Sequence, residues 1–198
     1  MNKTYKIEIA GLERELVVCE VSESLSIAAF ILFGDVEMTV AAAKQLLELA
    51  PPHDIIITAE AKGIPLAHEM ARQSGNADYI VARKSVKLYM KDIFSIEVQS
   101  ITTPDKQNLH ISLSEAERMK NKKVLIVDDV ISTGESLRAI EMLVDKAGGS
   151  VSAKMAVLAE GDAYKRDDII ENTVIRIRIP IVIFIPKAFH DIRAHFKG

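Results

Sequence analysis

Along the chain, apolar positions first alternate and later gather into short unbroken runs. Residues 5–10 alternate, Gly11 interrupts, and residues 15–21 form a second β-rich run with Ser22 and Ser24 behind it. Gly34 and Asp35 break the pattern. Ala42, Ala43, Leu46, Leu47 and Ala50 then recur at helical spacing, which predicts a helix over 39–50, stopped by Pro51 and Pro52. Ile55, Ile56 and Ile57 form a β-branched run of the kind found in strands buried on both faces. A helix is predicted over 65–73, ending at Gly75 and Asn76, and a strand over 79–82. Residues 84–122 are more polar and irregular, with a hairpin predicted from 95–102 and 109–113 around Pro104 and Asp105. Ser114 and Glu117, three apart, predict a capping box for a short helix.

The second half repeats the rhythm more strongly. Residues 123–127 predict a buried strand, Asp128 and Asp129 a turn, residues 134–146 a long helix closed by Gly148 and Gly149, and residues 151–158 a further strand. The alternation at 175–179 suggests another strand, and Pro180 and Pro186 would put it at an edge. Strands alternating with helices imply an α/β fold, with a mostly parallel central sheet flanked by helices. At 198 residues the chain is expected to form one domain, large enough to bury a core without covalent staples.

Composition removes several function classes. Lys plus Arg number 25 against 28 Asp plus Glu, a formal charge of −3 with no basic tail, which argues against a nucleic-acid binder. The most apolar stretch, 179–186, is too short to span a membrane, and the polar N-terminus does not read as a signal peptide, so a cytoplasmic location is expected. Cys19 is the only cysteine, which rules out an internal disulfide, and its apolar strand predicts a packed thiol. The five histidines are scattered, so no zinc site is expected.

The chemistry concentrates in Val124-Leu-Ile-Val-Asp-Asp-Val-Ile-Ser-Thr-Gly-Glu-Ser136. Two acids stand at the carboxyl end of a buried strand, where ligands bind in open α/β sheets. A hydroxylic turn leads from there into a helix N-terminus, whose free N–H groups and dipole favour phosphate. The acids cannot serve that phosphate, because like charges repel; they suit the hydroxyls of a sugar or a magnesium ion. A lone Asp in such a turn would read as a helix cap. The paired acids with Ser132, Thr133, Gly134 and Ser136 describe a sugar phosphate instead. No Lys follows the glycine, so this is not a Walker loop.

This segment resembles the phosphoribosyl-pyrophosphate motif of the type I phosphoribosyltransferases. Ala59-Glu-Ala-Lys-Gly-Ile-Pro65 is similar to the pyrophosphate loop of the purine branch, and Ile80-Val-Ala-Arg-Lys-Ser-Val-Lys-Leu88 to its Arg-Lys-x-x-Lys-Leu segment, closest to the adenine members. The resemblance divides the chain into a hood over 1–35, a core over 36–160 and a divergent C-terminal segment over 161–198. It implies transfer of phosphoribose from phosphoribosyl pyrophosphate to a purine base, adenine first, giving AMP and pyrophosphate. Xanthine, guanine or hypoxanthine are alternative bases, and a non-catalytic regulator that binds phosphoribosyl pyrophosphate is an alternative class.

The roles it implies fall on particular residues. Asp128 and Asp129 hold the ribose diol. Val130, Ile131, Ser132, Thr133, Gly134, Glu135 and Ser136 bind the phosphoribosyl group, with 132–136 at the 5′-phosphate and Val130 packed against the base. Glu60, Ala61, Lys62, Gly63, Arg83 and Lys87 hold pyrophosphate. Residues 91–113 form a closing loop, in which Glu97 helps to move the base's proton. Mg²⁺ enters bound to the substrate, without a dedicated side-chain site, and a homodimer is implied. The chain departs from the family pattern at Lys62, where Arg is usual, at Val98 in place of Tyr, and at Glu135 in place of Gly, a side chain expected to point outward. The hood lacks the usual Phe-Arg-Asp-Ile run.

Overall fold

The computed structural model describes residues 4–22, 25–99, 106–132, 134–159 and 182–183. It opens with β1 (Thr4–Ile9), β2 (Leu12–Ser22) and β3 (Leu25–Ala29), paired antiparallel in that order. Ala10 and Gly11 turn β1 into β2 with φ of 52° and 77°. A two-residue turn of that hand matches the twist of its strands, and glycine takes its second position without strain.

Next come α1 (Val36–Leu49), β4 (Ile55–Ala59), α2 (Ile64–Ser74) and β5 (Ile80–Ala82). A hairpin of β6 (Ile93–Gln99) and β7 (Lys106–Ser112) leads to α3 (Leu113–Met119). The chain continues through β8 (Lys123–Ile131), α4 (Glu135–Lys146) and β9 (Ser150–Ala159). A short β10 (Val182–Ile183) pairs antiparallel with β3.

The central sheet has the order β5-β4-β8-β9 and is parallel throughout, the α/β arrangement that the pattern implies. Its strands read as continuous apolar runs because both faces are covered. Ile56, Leu125, Val127 and Met155 pack with α1, α2 and the N-terminal sheet. Ile57, Val124, Ile126 and Ala156 pack with α3, α4 and the hairpin. Among the described residues no helix is long and apolar enough to cross a membrane.

Several local expectations are corrected. The two acids do not form a turn, because β8 runs on to Ile131, held by the long β9 through the pairs Asp128↔Ala156, Val130↔Leu158 and Ile131↔Ala159. The capping box belongs to Ser112 and Glu115, since β7 feeds directly into α3 and its last residue becomes the cap. Helix α1 starts at Val36, earlier than its apolar spacing suggests, because Asp35 accepts from the Met38 amide at 3.1 Å. The hairpin expected from 95–102 and 109–113 does form, as β6 and β7 with Ile96, Val98, Leu109 and Ile111 buried, so much of 91–113 is regular rather than loop; Pro104 and Asp105 lie outside the described residues. Cys19 is exposed: Leu16 reaches the core, but the far half of β2 runs beyond it. The strand expected at 175–179 lies outside the described residues.

Candidate active site

Because β4, β5 and β8 are neighbours running the same way, their carboxyl ends open on one edge of the sheet. The register pairs Ile57 with Ile126 and Ala59 with Ala82, so two residues further on Ala59 stands level with Asp128. The loop leaving β4 therefore begins beside the acids. It lies against them because Gly63 carries no side chain: a Cβ there would collide with Thr58 Oγ1 and stand 2.9 Å from Asp128 Oδ1.

Two charged clusters result. In the first, Lys62 Nζ lies 3.3 Å from Asp129 Oδ2. Asp129 is 2% exposed, and that oxygen has no hydrogen bond, so the contact is a charge pair alone. Asp128 is half-buried, and its Oδ1 accepts from the Asp129 amide at 2.9 Å. Burial, and after it the adjacent Asp129 charge, push the Asp128 carboxyl up to about 7, against the pull of Lys62.

The second cluster centres on Glu60. Its Oε2 accepts from the Lys84 amide at 3.2 Å, and its Oε1 lies 3.6 Å from Arg83 Nη1 and 3.4 Å from Lys87 Nζ. Burial works to raise this carboxyl, but the Lys84 amide, Lys87 and Arg83 outweigh it and hold it below its ordinary value.

Past the acids, Gly134 adopts φ 76° ahead of α4, a left-handed conformation that glycine takes freely. No described side chain caps α4. Ser132 is exposed, and Glu135 and Ser136 are half-buried. Thr133 lies outside the described residues. A cavity of about 240 Å³ separates this edge from the N-terminal sheet; it is lined by Lys62, Val130 and Ser132 on one side and by residues 27–31 on the other.

The structure thus gathers Glu60, Lys62, Gly63, Arg83, Lys87, Asp128, Asp129, Val130 and Ser132 at one edge. Ala61 is exposed in the same loop, and Ile131 is buried behind it. Glu97 is exposed opposite Asn108, on the hairpin face away from buried Ile96 and Val98, and the two clusters form without it. Sequence reasoning missed the lining by residues 27–31, whose apolar and small side chains give no chemical signal. It also missed that Arg83 and His110 exchange backbone hydrogen bonds of 2.8 Å in both directions, docking the hairpin on the cluster.

The model of the phosphoribosyl transferase domain matches residues 39–190. The chain belongs to this family. Among the phosphoribosyltransferases, it is 37% identical over 107 residues to the adenine phosphoribosyltransferase of Thermotoga neapolitana, covering 54% of this chain and 59% of that one. It is 34% identical over 120 residues to the hypoxanthine/guanine phosphoribosyltransferase of Methanothermococcus okinawensis, covering 61% and 60%. The match thus spans about three-fifths of these curated relatives. The fold is shared with the adenine phosphoribosyltransferases of Saccharomyces cerevisiae (TM-score 0.62, 20% identity, 87% of this chain and 94% of that one) and Thermoanaerobacter pseudethanolicus (TM-score 0.60, 20% identity, 86% and 94%).

Proposed function

We propose that the chain is a purine phosphoribosyltransferase that joins a purine base, adenine first, to phosphoribosyl pyrophosphate and releases pyrophosphate. The observation that carries this reading is the buried Asp129 near the end of β8, paired with Lys62 of the loop after β4, ahead of a helix N-terminus that no described side chain caps. One bound molecule can meet all three: a diol at the acids, a 5′-phosphate at α4 and pyrophosphate at Lys62.

In the reaction a ring nitrogen of the base bonds to C1′ as the C1′–pyrophosphate bond breaks. Positive charge grows on the sugar and negative charge on the leaving group. The protein's part is positioning and fixed charge. Asp128 and Asp129 orient the diol, residues 132–136 hold the 5′-phosphate, and Lys62, Arg83 and Lys87 offset charge on pyrophosphate. Ala61 and Gly63 let the loop's backbone approach the anion, and Val130 packs against the base. The oxygen donors fit Mg²⁺: Asp129 Oδ2 is buried without a hydrogen bond next to a second carboxylate. When bound, Mg²⁺ would spread the leaving group's charge.

The N-terminal sheet acts as the hood. Apart from Lys62 and Ser132, the side chains lining its cavity are apolar, so the backbone of residues 27–31 reads the base. A homodimer, as the resemblance implies, would show as doubled mass in light scattering. The deciding experiment assays phosphoribosyl pyrophosphate with adenine, hypoxanthine, guanine and xanthine in turn. Turnover with adenine above the others supports the reading. Preference for an oxopurine keeps the enzyme class and changes the base, and calorimetric binding without any turnover makes the chain a sensor.

A further inference from the structure

Glu60 is an anomaly in a loop meant for pyrophosphate, because a carboxylate repels that anion. Its contacts join two neighbouring loops. The Glu60 amide donates to Ala82 O at 2.9 Å, and its carboxylate accepts from the Lys84 amide at 3.2 Å. Main chain and side chain therefore both cross from the exit of β4 to the exit of β5. The other carboxylate oxygen faces Arg83 Nη1 at 3.6 Å and Lys87 Nζ at 3.4 Å. These distances exceed ordinary hydrogen bonds. The cations are drawn together, and each keeps further donors for a ligand beyond those turned to Glu60 and, for Lys87, to Ser85.

We infer that Glu60 is a positioning residue: it staples the two loops and holds Arg83 and Lys87 in place for pyrophosphate without touching the anion. The inference rests on the function proposed above and revises the role that the resemblance implies for Glu60.

The surroundings supply the rest of the frame. Arg83 is fixed from its other side by the paired backbone bonds to His110, and Lys87 Nζ donates to Ser85 Oγ at 2.8 Å. With the site empty, two neighbouring cations lacking an anion between them would repel and splay. Glu60 keeps them converged, so that little reorganisation remains when the ligand arrives. It stays charged over the neutral range, since its partners hold its carboxyl below the ordinary value despite burial.

Glu60→Ala and Glu60→Gln separate the parts of this role. Glutamine keeps an acceptor for the Lys84 amide but loses the charge; alanine loses both. Steady-state kinetics would be run against each substrate, with calorimetry of inorganic pyrophosphate and thermal melting alongside. Glu60→Ala should raise KM for phosphoribosyl pyrophosphate and weaken pyrophosphate binding about tenfold, with KM for the base unmoved. Glu60→Gln should recover part of that loss, and it decides the matter alone if the alanine variant does not fold. The inference fails if Glu60→Gln binds pyrophosphate more tightly than wild type, which would make Glu60 a mere repulsive charge. It fails if the variants change the Mg²⁺ requirement instead, which would make Glu60 a metal ligand, or if both match wild type while wild type binds pyrophosphate. Wild-type protein that binds neither pyrophosphate nor phosphoribosyl pyrophosphate overturns the proposed function, and this inference with it.

Discussion

The edge of the parallel sheet and the N-terminal sheet confront each other across one cavity, and they are built from opposite materials. The sheet edge carries buried or half-buried acids matched to cations: Lys62 to Asp129, and Arg83 and Lys87 to Glu60. The N-terminal sheet offers residues 27–31, apolar except for its main chain. Buried charges are costly unless paired, so the edge must hold its geometry even when empty. An apolar strand carries no such constraint. Under the proposed function, the edge handles the sugar, phosphates and leaving group common to all bases, and the strand handles the base. The first task tolerates little change of residue type; the second can be met by many sequences.

The comparison is broken most directly at the acids. Asp128→Asn with Asp129→Asn removes both carboxylates but keeps shape, so turnover should fall by at least ~10³-fold while the circular-dichroism spectrum stays native. Unchanged turnover would refute their assignment. Gly63→Ala tests whether the edge depends on close contact. The new Cβ meets Thr58 Oγ1 and Asp128 Oδ1, so the loop must lift away. Misplacement of that kind should cost about 10²-fold in kcat/KM for phosphoribosyl pyrophosphate. A matching substitution at Ala28 in β3 should instead act mainly on KM for the base.

A smaller effect comes from proton uptake. Burial and Asp129 raise the Asp128 carboxyl from 3.8 to about 7 in the folded chain. Between about pH 4 and 7 the folded state thus holds a proton that the unfolded state has released, and stability falls as pH rises through that window. Asp128→Asn should flatten this part of the melting profile; a wild-type slope of the other sign would contradict the buried acid pair. Binding of the diol needs the charged form, so affinity for phosphoribosyl pyrophosphate should drop about tenfold between pH 8 and pH 6. Calorimetry in two buffers of different ionisation enthalpy would register the released proton. Affinity for the base should respond far less.

The same contrast explains what could be read in advance. Asp128 and Asp129 after four aliphatics were legible because a pair of charges at the end of a buried strand is costly, whereas Lys62, Arg83 and Lys87 stood out only through the resemblance of their segments, since each alone reads as a surface charge. The βα rhythm was legible because both faces of β4 and β8 are covered, leaving unbroken apolar runs. Cys19 misled because an apolar strand does not announce which of its halves overhangs the core. The continuation of β8 through the acids was hidden because it depends on the length of β9, a tertiary partner. The cavity lining at residues 27–31 could not be read, since a backbone edge leaves no mark on residue type. Glu60's contacts were invisible for a related reason: the motif specifies Lys84 by its side chain, whereas the bond to Glu60 comes from its backbone amide.

The smallest expected effect concerns how the two regions are joined. Arg14 in β2 donates to both carboxylate oxygens of Asp35, Nε at 2.6 Å and Nη2 at 3.0 Å, and to Glu37 at 2.8 Å. Asp35 also caps α1, so this fork ties the N-terminal sheet to the first helix of the core. Arg14 holds the Asp35 carboxyl below its ordinary value, so the fork persists through the neutral range. The apolar contacts of Phe30 and Leu32 would keep the sheet attached without it. Arg14→Ala should therefore let the sheet tilt rather than detach. KM for the base should rise roughly threefold to tenfold while KM for phosphoribosyl pyrophosphate stays put. Arg14→Lys should fall between, since lysine keeps the charge and loses the two-pronged geometry. An equal rise in both KM values would mean that sheet and edge move as one body, and the division of labour between them would have to be abandoned.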